Sequence, residues 1–115
     1  MARLLIVDDE PLIAMLVEAW VVDLGHEPVG PAHSLAEALP LLDEPIDGAI
    51  IDLALGLESG RPIAEALAAK GAPFVYATGQ AETELQGLPP AAGVLLKPYS
   101  FEAFVAAVRA MLPDA

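Results

Sequence analysis

Apolar residues recur in two rhythms along this chain, and the alternation between them predicts its architecture. Leu4-Leu5-Ile6-Val7, Ala49-Ile50-Ile51, Phe74-Val75-Tyr76 and Val94-Leu95-Leu96 are short unbroken runs, as expected of strands, and Ala49-Ile50-Ile51 reads as one buried on both faces. Between the first two lies a segment of helical period: Leu12, Ile13, Leu16, Val17, Trp20 and Leu24 recur on one stripe, Pro11 suits a first helical position and Gly25 a stop. That stripe is expected to face the sheet, with Trp20 a packing residue rather than part of a ligand face.

The same reading gives strands over Arg3–Val7, Glu27–Val29, Gly48–Ile51, Pro73–Ala77 and Gly93–Leu96. Helices are expected over Leu35–Leu42, Arg61–Lys70 and Ser100–Leu112, the last with Phe101, Phe104, Val105, Val108, Met111 and Leu112 inward. Ser34 with Glu37 three residues on has the spacing of a capping box. Ala54–Gly60 reads as a loop, and Gln80–Pro90, poor in apolar residues, as a short and loosely held helix. Five strands alternating with helices specify an α/β domain with a parallel sheet and right-handed crossovers.

A strand buried on both faces has no packing reason to end in a carboxylate, yet the third ends at Asp52 and the first runs into Asp8, Asp9 and Glu10. Taken alone, Asp52 could cap the following turn. Two such strands lying side by side would gather these acids on one rim, where like charges repel and a cation relieves them. In open parallel sheets the functional site lies beyond the carboxyl ends of the strands. Thr78 and Lys97 also fall at such ends.

Composition narrows the picture. The chain has 115 residues, enough for one domain with a sizeable core, and is 56% hydrophobic. Its mean hydropathy of +0.56 excludes disorder, and its apolar runs are too short to span a membrane. Five Lys and Arg against seventeen Asp and Glu give a net charge of −12, the opposite of what a nucleic-acid surface needs. No cysteine and no leader-like segment occur, which fits a cytoplasmic protein. His26 and His33 lack a carboxylate or nucleophile at motif spacing and are expected at the surface.

The pattern of Asp8-Asp9, Asp52, Thr78 and Lys97-Pro98, each after its own strand, resembles the receiver domain of two-component response regulators across essentially the whole chain. Phe74-Val75-Tyr76-Ala77-Thr78-Gly79-Gln80 and Ser59-Gly60-Arg61-Pro62 are similar to a single-domain subgroup marked by a Phe-Ala-Thr-Gly motif, with Tyr76 where that motif has Phe. The resemblance implies one domain over 1–115 without an output domain. It also implies a flavodoxin-like five-stranded parallel sheet of order 2-1-3-4-5 with helices on both faces.

It further implies that Asp52 accepts a phosphoryl group from a sensor histidine kinase or histidine phosphotransfer protein, assisted by Lys97 and Thr78. Mg²⁺ would be held by Asp9 and Asp52 directly, Asp8 through water and the Ala54 backbone carbonyl. Lys97–Pro98 is expected to be cis, and Glu10 to be a further acid or a cap. The domain would not be an enzyme in its own right. Output would come through a downstream protein on the face around Gly79–Pro90, Gly93–Leu96 and Ser100–Leu112, with no nucleic acid or membrane. Thr78 and Lys97 would move towards the phosphoryl group and draw Gly79–Pro90 with them.

One position departs from the pattern: Val94 stands three residues before Lys97, where receivers carry the Tyr or Phe of their switch. A receiver-like module that binds without phosphorylation, or a phosphate sink for a kinase, are the alternatives that this leaves. A haloacid-dehalogenase-type phosphatase would need a second Asp at position 54, which is Ala54, and a nucleotide-binding domain would need a glycine-rich loop after the first strand.

Overall fold

A computed structural model of the protein describes residues 1–80 and 85–113. Its elements are β1 (Arg3–Val7), α1 (Pro11–Asp23), β2 (Glu27–Ala32), α2 (Leu35–Leu41), β3 (Gly48–Asp52), β4 (Ala54–Leu55), β5 (Glu58–Ser59), α3 (Arg61–Lys70), β6 (Phe74–Thr78), β7 (Gly93–Leu96) and α4 (Phe101–Met111). The main sheet has the order β2-β1-β3-β6-β7 with every pairing parallel. This is the expected 2-1-3-4-5 arrangement, the labels shifting because β4 and β5 form a small hairpin of their own.

Alternating side chains divide the core into two layers. Leu5, Val7, Ala49 and Ile51 point to one face and meet Ala38 of α2 and Ile63, Ala64 and Leu67 of α3. Leu4, Ile6, Ile50 and Val75 point to the other and meet Val17 and Val21 of α1 and Phe104, Val108 and Met111 of α4. With helices on both faces, β3 and β6 are buried along their whole length. Ser34 caps α2, its Oγ accepting from Glu37 N at 3.1 Å. Glu37 reaches back to His33 N at 2.8 Å, one residue before the donor that a capping box uses.

Several expectations need correction. β2 continues past Val29 to Ala32, through Gly30-Pro31, because an edge strand tolerates proline and the register shifts there. The buried stripe of α1 is Ala14, Val17 and Val21; Ile13, Trp20 and Leu24 are partly covered, and Leu12 and Leu16 are 80% and 44% exposed. This helix is apolar on nearly every side, so periodicity alone does not select its inner face. In α4 the buried residues are Phe104, Ala107, Val108 and Met111, while Phe101 stays partly exposed with its ring edge-on to Trp20 at 5.5 Å.

The expected Ala54–Gly60 loop contains the β4–β5 hairpin, turning at Gly56-Leu57. Of the expected helix Gln80–Pro90, residues 81–84 lie outside the described residues. The described remainder is not helical, and Leu85 and Leu88 pack on the core beneath it. Tyr76 is buried and its hydroxyl donates to Pro89 O at 2.6 Å, which ties this stretch to β6. His26 and His33 are half-buried rather than at the surface. Ala2 N donates to His26 Nδ1 and His33 Nδ1 meets Asp8 O, each at 3.0 Å. Among the described residues no helix is long and apolar enough to cross a membrane.

Candidate functional site

The parallel register brings the strand ends together. Val7 of β1 lies beside Ile51 of β3, and Asp52 beside Ala77 of β6, so Asp8, Asp52 and Thr78 emerge on one rim. They are buried, at 3%, 1% and 1% exposure, and are the buried polar side chains among the described residues. Lys97 follows β7 on the same rim, its N–H bonded to Thr78 O at 2.9 Å, and the Lys97–Pro98 peptide is cis.

Lys97 Nζ donates to Asp52 Oδ2 at 2.9 Å and lies 3.8 Å from Asp8 and 3.7 Å from Glu10. Asp52 Oδ1 accepts from Ala54 N at 3.0 Å, so both oxygens of this carboxylate are engaged. Asp8 Oδ1 accepts from Glu10 N at 2.9 Å, and Asp9 Oδ2 from Gly56 N at 3.0 Å. Glu10 occupies the cap position of α1 without a side-chain cap bond and directs its carboxylate to the site instead. Thr78 Oγ1 accepts from Gln80 N at 3.1 Å. The structure therefore brings together all the residues singled out in the sequence: Asp8, Asp9, Asp52, Ala54, Thr78 and Lys97.

Charge crowding shows in the protonation equilibria. Burial pushes the Asp52 carboxyl up to about 6, against the Lys97 and Ala54 hydrogen bonds, and the charge of Asp8 adds to the rise. Asp8 is also raised, chiefly by burial, although the Glu10 N–H and the Lys97 charge oppose it. Burial by itself would lower Lys97; the Asp52 hydrogen bond and the charges of Asp52, Asp8 and Glu10 outweigh it, so its ammonium is held above the usual lysine range. Asp52 rises in spite of its ion pair because desolvation and a second buried acid together exceed what one lysine returns.

The donor set suits a hard divalent cation. Carboxylate oxygens of Asp8, Asp9 and Glu10 lie within 4.8 Å of one another. Gly60 N donates to Leu53 O, and antiparallel ladders alternate bonded and unbonded pairs. Ala54, opposite Ser59, therefore turns its N–H and C=O away from β5, and the N–H reaches Asp52. The close approach is possible because residue 60 is glycine: a Cβ there would sit 2.6 Å from Asp52 O and 2.7 Å from Ile51 Cγ2. Gly60→Ala is expected to cost about 1–3 kcal/mol of stability, read from denaturant melts; a variant as stable as the parent would show that the hairpin base yields freely.

Tyr99 escaped the sequence reading. Its hydroxyl is buried without a hydrogen-bond partner among the described residues, and burial and the charges of Asp8, Asp52 and Glu10 all raise its pKa. It lines a cleft of about 330 Å³ with Glu10, Ile13, Leu16, Trp20 and Lys97. No local signal in Pro98-Tyr99-Ser100 marks this, since the cleft is made by α1. The Gly56 amide was also missed; only the glycine itself, between Leu55 and Leu57, hinted at a turn.

No family model matches the chain. It is 36% identical over 102 residues to the phyllosphere-induced regulator PhyR of Methylorubrum extorquens, a match that covers 84% of this chain and 38% of that protein. The chain thus spans well under half the length of this curated relative. Among solved structures it is similar to the receiver domain of the Erythrobacter litoralis response regulator PhyR, with a TM-score of 0.87 at 26% identity over 98% of this chain and 91% of that one. It is likewise similar to PhyR from Brucella abortus, with a TM-score of 0.84 at 32% identity over 96% of this chain and 47% of that one. By its sheet order, by the acids and lysine on one rim, and by these relatives, the chain belongs to the receiver domains of response regulators.

Proposed function

We propose that Asp52 accepts a phosphoryl group from a phosphohistidine of a sensor histidine kinase or phosphotransfer protein. The observation that carries this reading is the treatment of Asp52: a carboxylate 1% exposed, held by Lys97 on one oxygen and by a backbone N–H on the other. In the transfer a carboxylate oxygen of Asp52 forms a P–O bond as the P–N bond to the donor imidazole breaks, and that ring nitrogen keeps the electron pair. Asp52 needs no general base, because the reacting form is the carboxylate itself. Lys97 follows the charge as it passes to the phosphoryl oxygens, and the Thr78 hydroxyl donates to one of them.

Asp9 and Asp52 would hold Mg²⁺ directly, Asp8 through a water and Ala54 through its carbonyl. Such an ion supplies neutralisation of the phosphoryl charge and an oriented coordination site. The acids' own contribution is to gather on one rim before the ion arrives.

The signal would leave through protein binding. Val94 and Leu96 on β7 and Phe101 on α4 are 41%, 58% and 39% exposed, apolar side chains on two of the elements that make up the face around Gly79–Pro90, Gly93–Leu96 and Ser100–Leu112. Val94 lies beside Tyr76 in the sheet and carries no ring to swing inward, so the output is assigned to the movement of Thr78 and Lys97. The net charge of −12 favours a basic protein partner over nucleic acid.

Intact mass after incubation with acetyl phosphate tests the reading. One phosphoryl adduct is expected with Mg²⁺ and none with excess EDTA. An unmodified protein in both arms would favour the module that binds without phosphorylation.

A further inference from the structure

The β4–β5 hairpin presents one outer edge to the acidic rim, and that edge makes two bonds of the same kind. Ala54 N donates to Asp52 Oδ1 and, two residues on, Gly56 N donates to Asp9 Oδ2, both at 3.0 Å. The spacing of two follows from strand geometry, in which alternate amides share a side. The Leu55↔Glu58 pair leaves Gly56 and Leu57 as a two-residue turn, and Gly56 alone of the two has positive φ, at 65°. A glycine at the first central position is the requirement of a type II′ turn, and the amide of that residue has no partner inside the hairpin. It is this otherwise spare N–H that Asp9 accepts.

Asp9 lies towards the outside of the rim, whereas Asp8 and Asp52 are buried and fixed by other bonds. Without a partner, its short side chain would be free to turn to solvent. We infer that the Gly56 N–H is a positioning group for the divalent cation: it holds Asp9 Oδ2 so that Oδ1 faces the rim, while Ala54 does the same for Asp52. The hairpin is therefore a backbone clamp: through its Ala54 and Gly56 amides it holds, each at 3.0 Å, two carboxylates at the ends of the neighbouring strands β1 and β3. Groups that orient a ligand's unbound side commonly change metal affinity by about 10–100-fold when lost.

This inference rests on the Mg²⁺ reading above, and the test separates the two. Mg²⁺ titrations of the full chain are followed by ¹H–¹⁵N NMR. A second protein made by chemical ligation carries an ester in place of the Gly56 amide, which removes the N–H and leaves the turn. The wild type is expected to show a saturable shift of the Gly56 amide, with that proton slow to exchange in the bound state, and the ester protein to bind Mg²⁺ at least about tenfold more weakly. Both should melt within a few degrees of each other in EDTA, which a purely structural role for the bond would not allow. Equal affinities would overturn the positioning role and leave the Mg²⁺ reading intact; a wild type in which no amide shifts saturably with Mg²⁺ would overturn both. Should the ester protein fail to fold, a Gly56 amide that exchanges freely and ignores Mg²⁺ in the wild type overturns the positioning role without it.

Discussion

Asp52→Asn is expected to take up no phosphoryl group from acetyl phosphate and, at pH 8, to be more stable than the wild type. Both outcomes come from the same desolvated charge. The wild-type carboxyl titrates near 6 rather than 3.8, so its ionised form is disfavoured by folding. The sign follows from the direction of the shift: the folded state binds the proton more tightly, so stability is greatest below about pH 4 and is lost as the pH rises through about 6. Two units correspond to about 3 kcal/mol, which is the most the amide could recover at pH 8. Asn keeps an oxygen for Ala54 N and the shape of the site, but its amide nitrogen cannot accept from Lys97, so the gain falls below that maximum. Intact mass and urea melts at pH 4 and pH 8 give the readout. A phosphoryl adduct retained by the variant would move the acceptor to another carboxylate, and a gain in stability equal at both pH values would detach it from ionisation.

Lys97→Ala moves stability in the opposite direction. It leaves Asp8 and Asp52 buried with no cation at 2.9 or 3.8 Å, and a buried ion pair that loses one partner typically costs about 3–5 kcal/mol. The low end, about 3 kcal/mol, is expected because the lysine side chain keeps 23% of its surface exposed. Removing it raises Asp52 further, so the loss appears from about pH 6 upward and vanishes below pH 4, where both proteins hold a neutral Asp52. Millimolar Mg²⁺ should restore part of it, by binding the native state alone. Phosphoryl uptake should slow by about 10²–10³-fold, the usual effect of losing one preorganised charge partner. Melts across pH, with and without Mg²⁺, and initial rates of adduct formation check this. A loss of stability independent of pH would assign Lys97 to packing instead.

Much of the site was legible because each of its members interrupts a pattern. A buried strand that ends in Asp52 or runs into Asp8 is conspicuous in a run of Val, Leu and Ile, and so is Thr78 after Phe74–Ala77; Lys97 stood out in the same way after Val94-Leu95-Leu96, although that strand is an edge strand on which only Leu95 is buried. Elements without such contrast were misplaced. Two-residue strands carry no periodicity, so the β4–β5 hairpin read as loop, and with it went the Gly56 bond to Asp9. α1 is apolar on nearly every side, so Leu12 and Leu16 looked as inward as Val17 although they face out. His26 and His33 take backbone partners 24 and 25 residues away, which no local spacing could announce.

The amino-acid sequence by itself determined the order of strands and helices, the cap at Ser34 and the polar residues that close each strand, because these depend on period, propensity and turn chemistry over a few neighbours. Tertiary structure alone decided how those residues differ. It buried Asp8 and Asp52 while leaving Glu10 outside, gave Lys97 to Asp52 at 2.9 Å rather than to Glu10 at 3.7 Å, and set a glycine amide against Asp9 across 47 residues. Desolvation and ion pairing are fixed by the distances between groups remote in the chain, and those distances exist only once the parallel register has brought the strand ends to one rim.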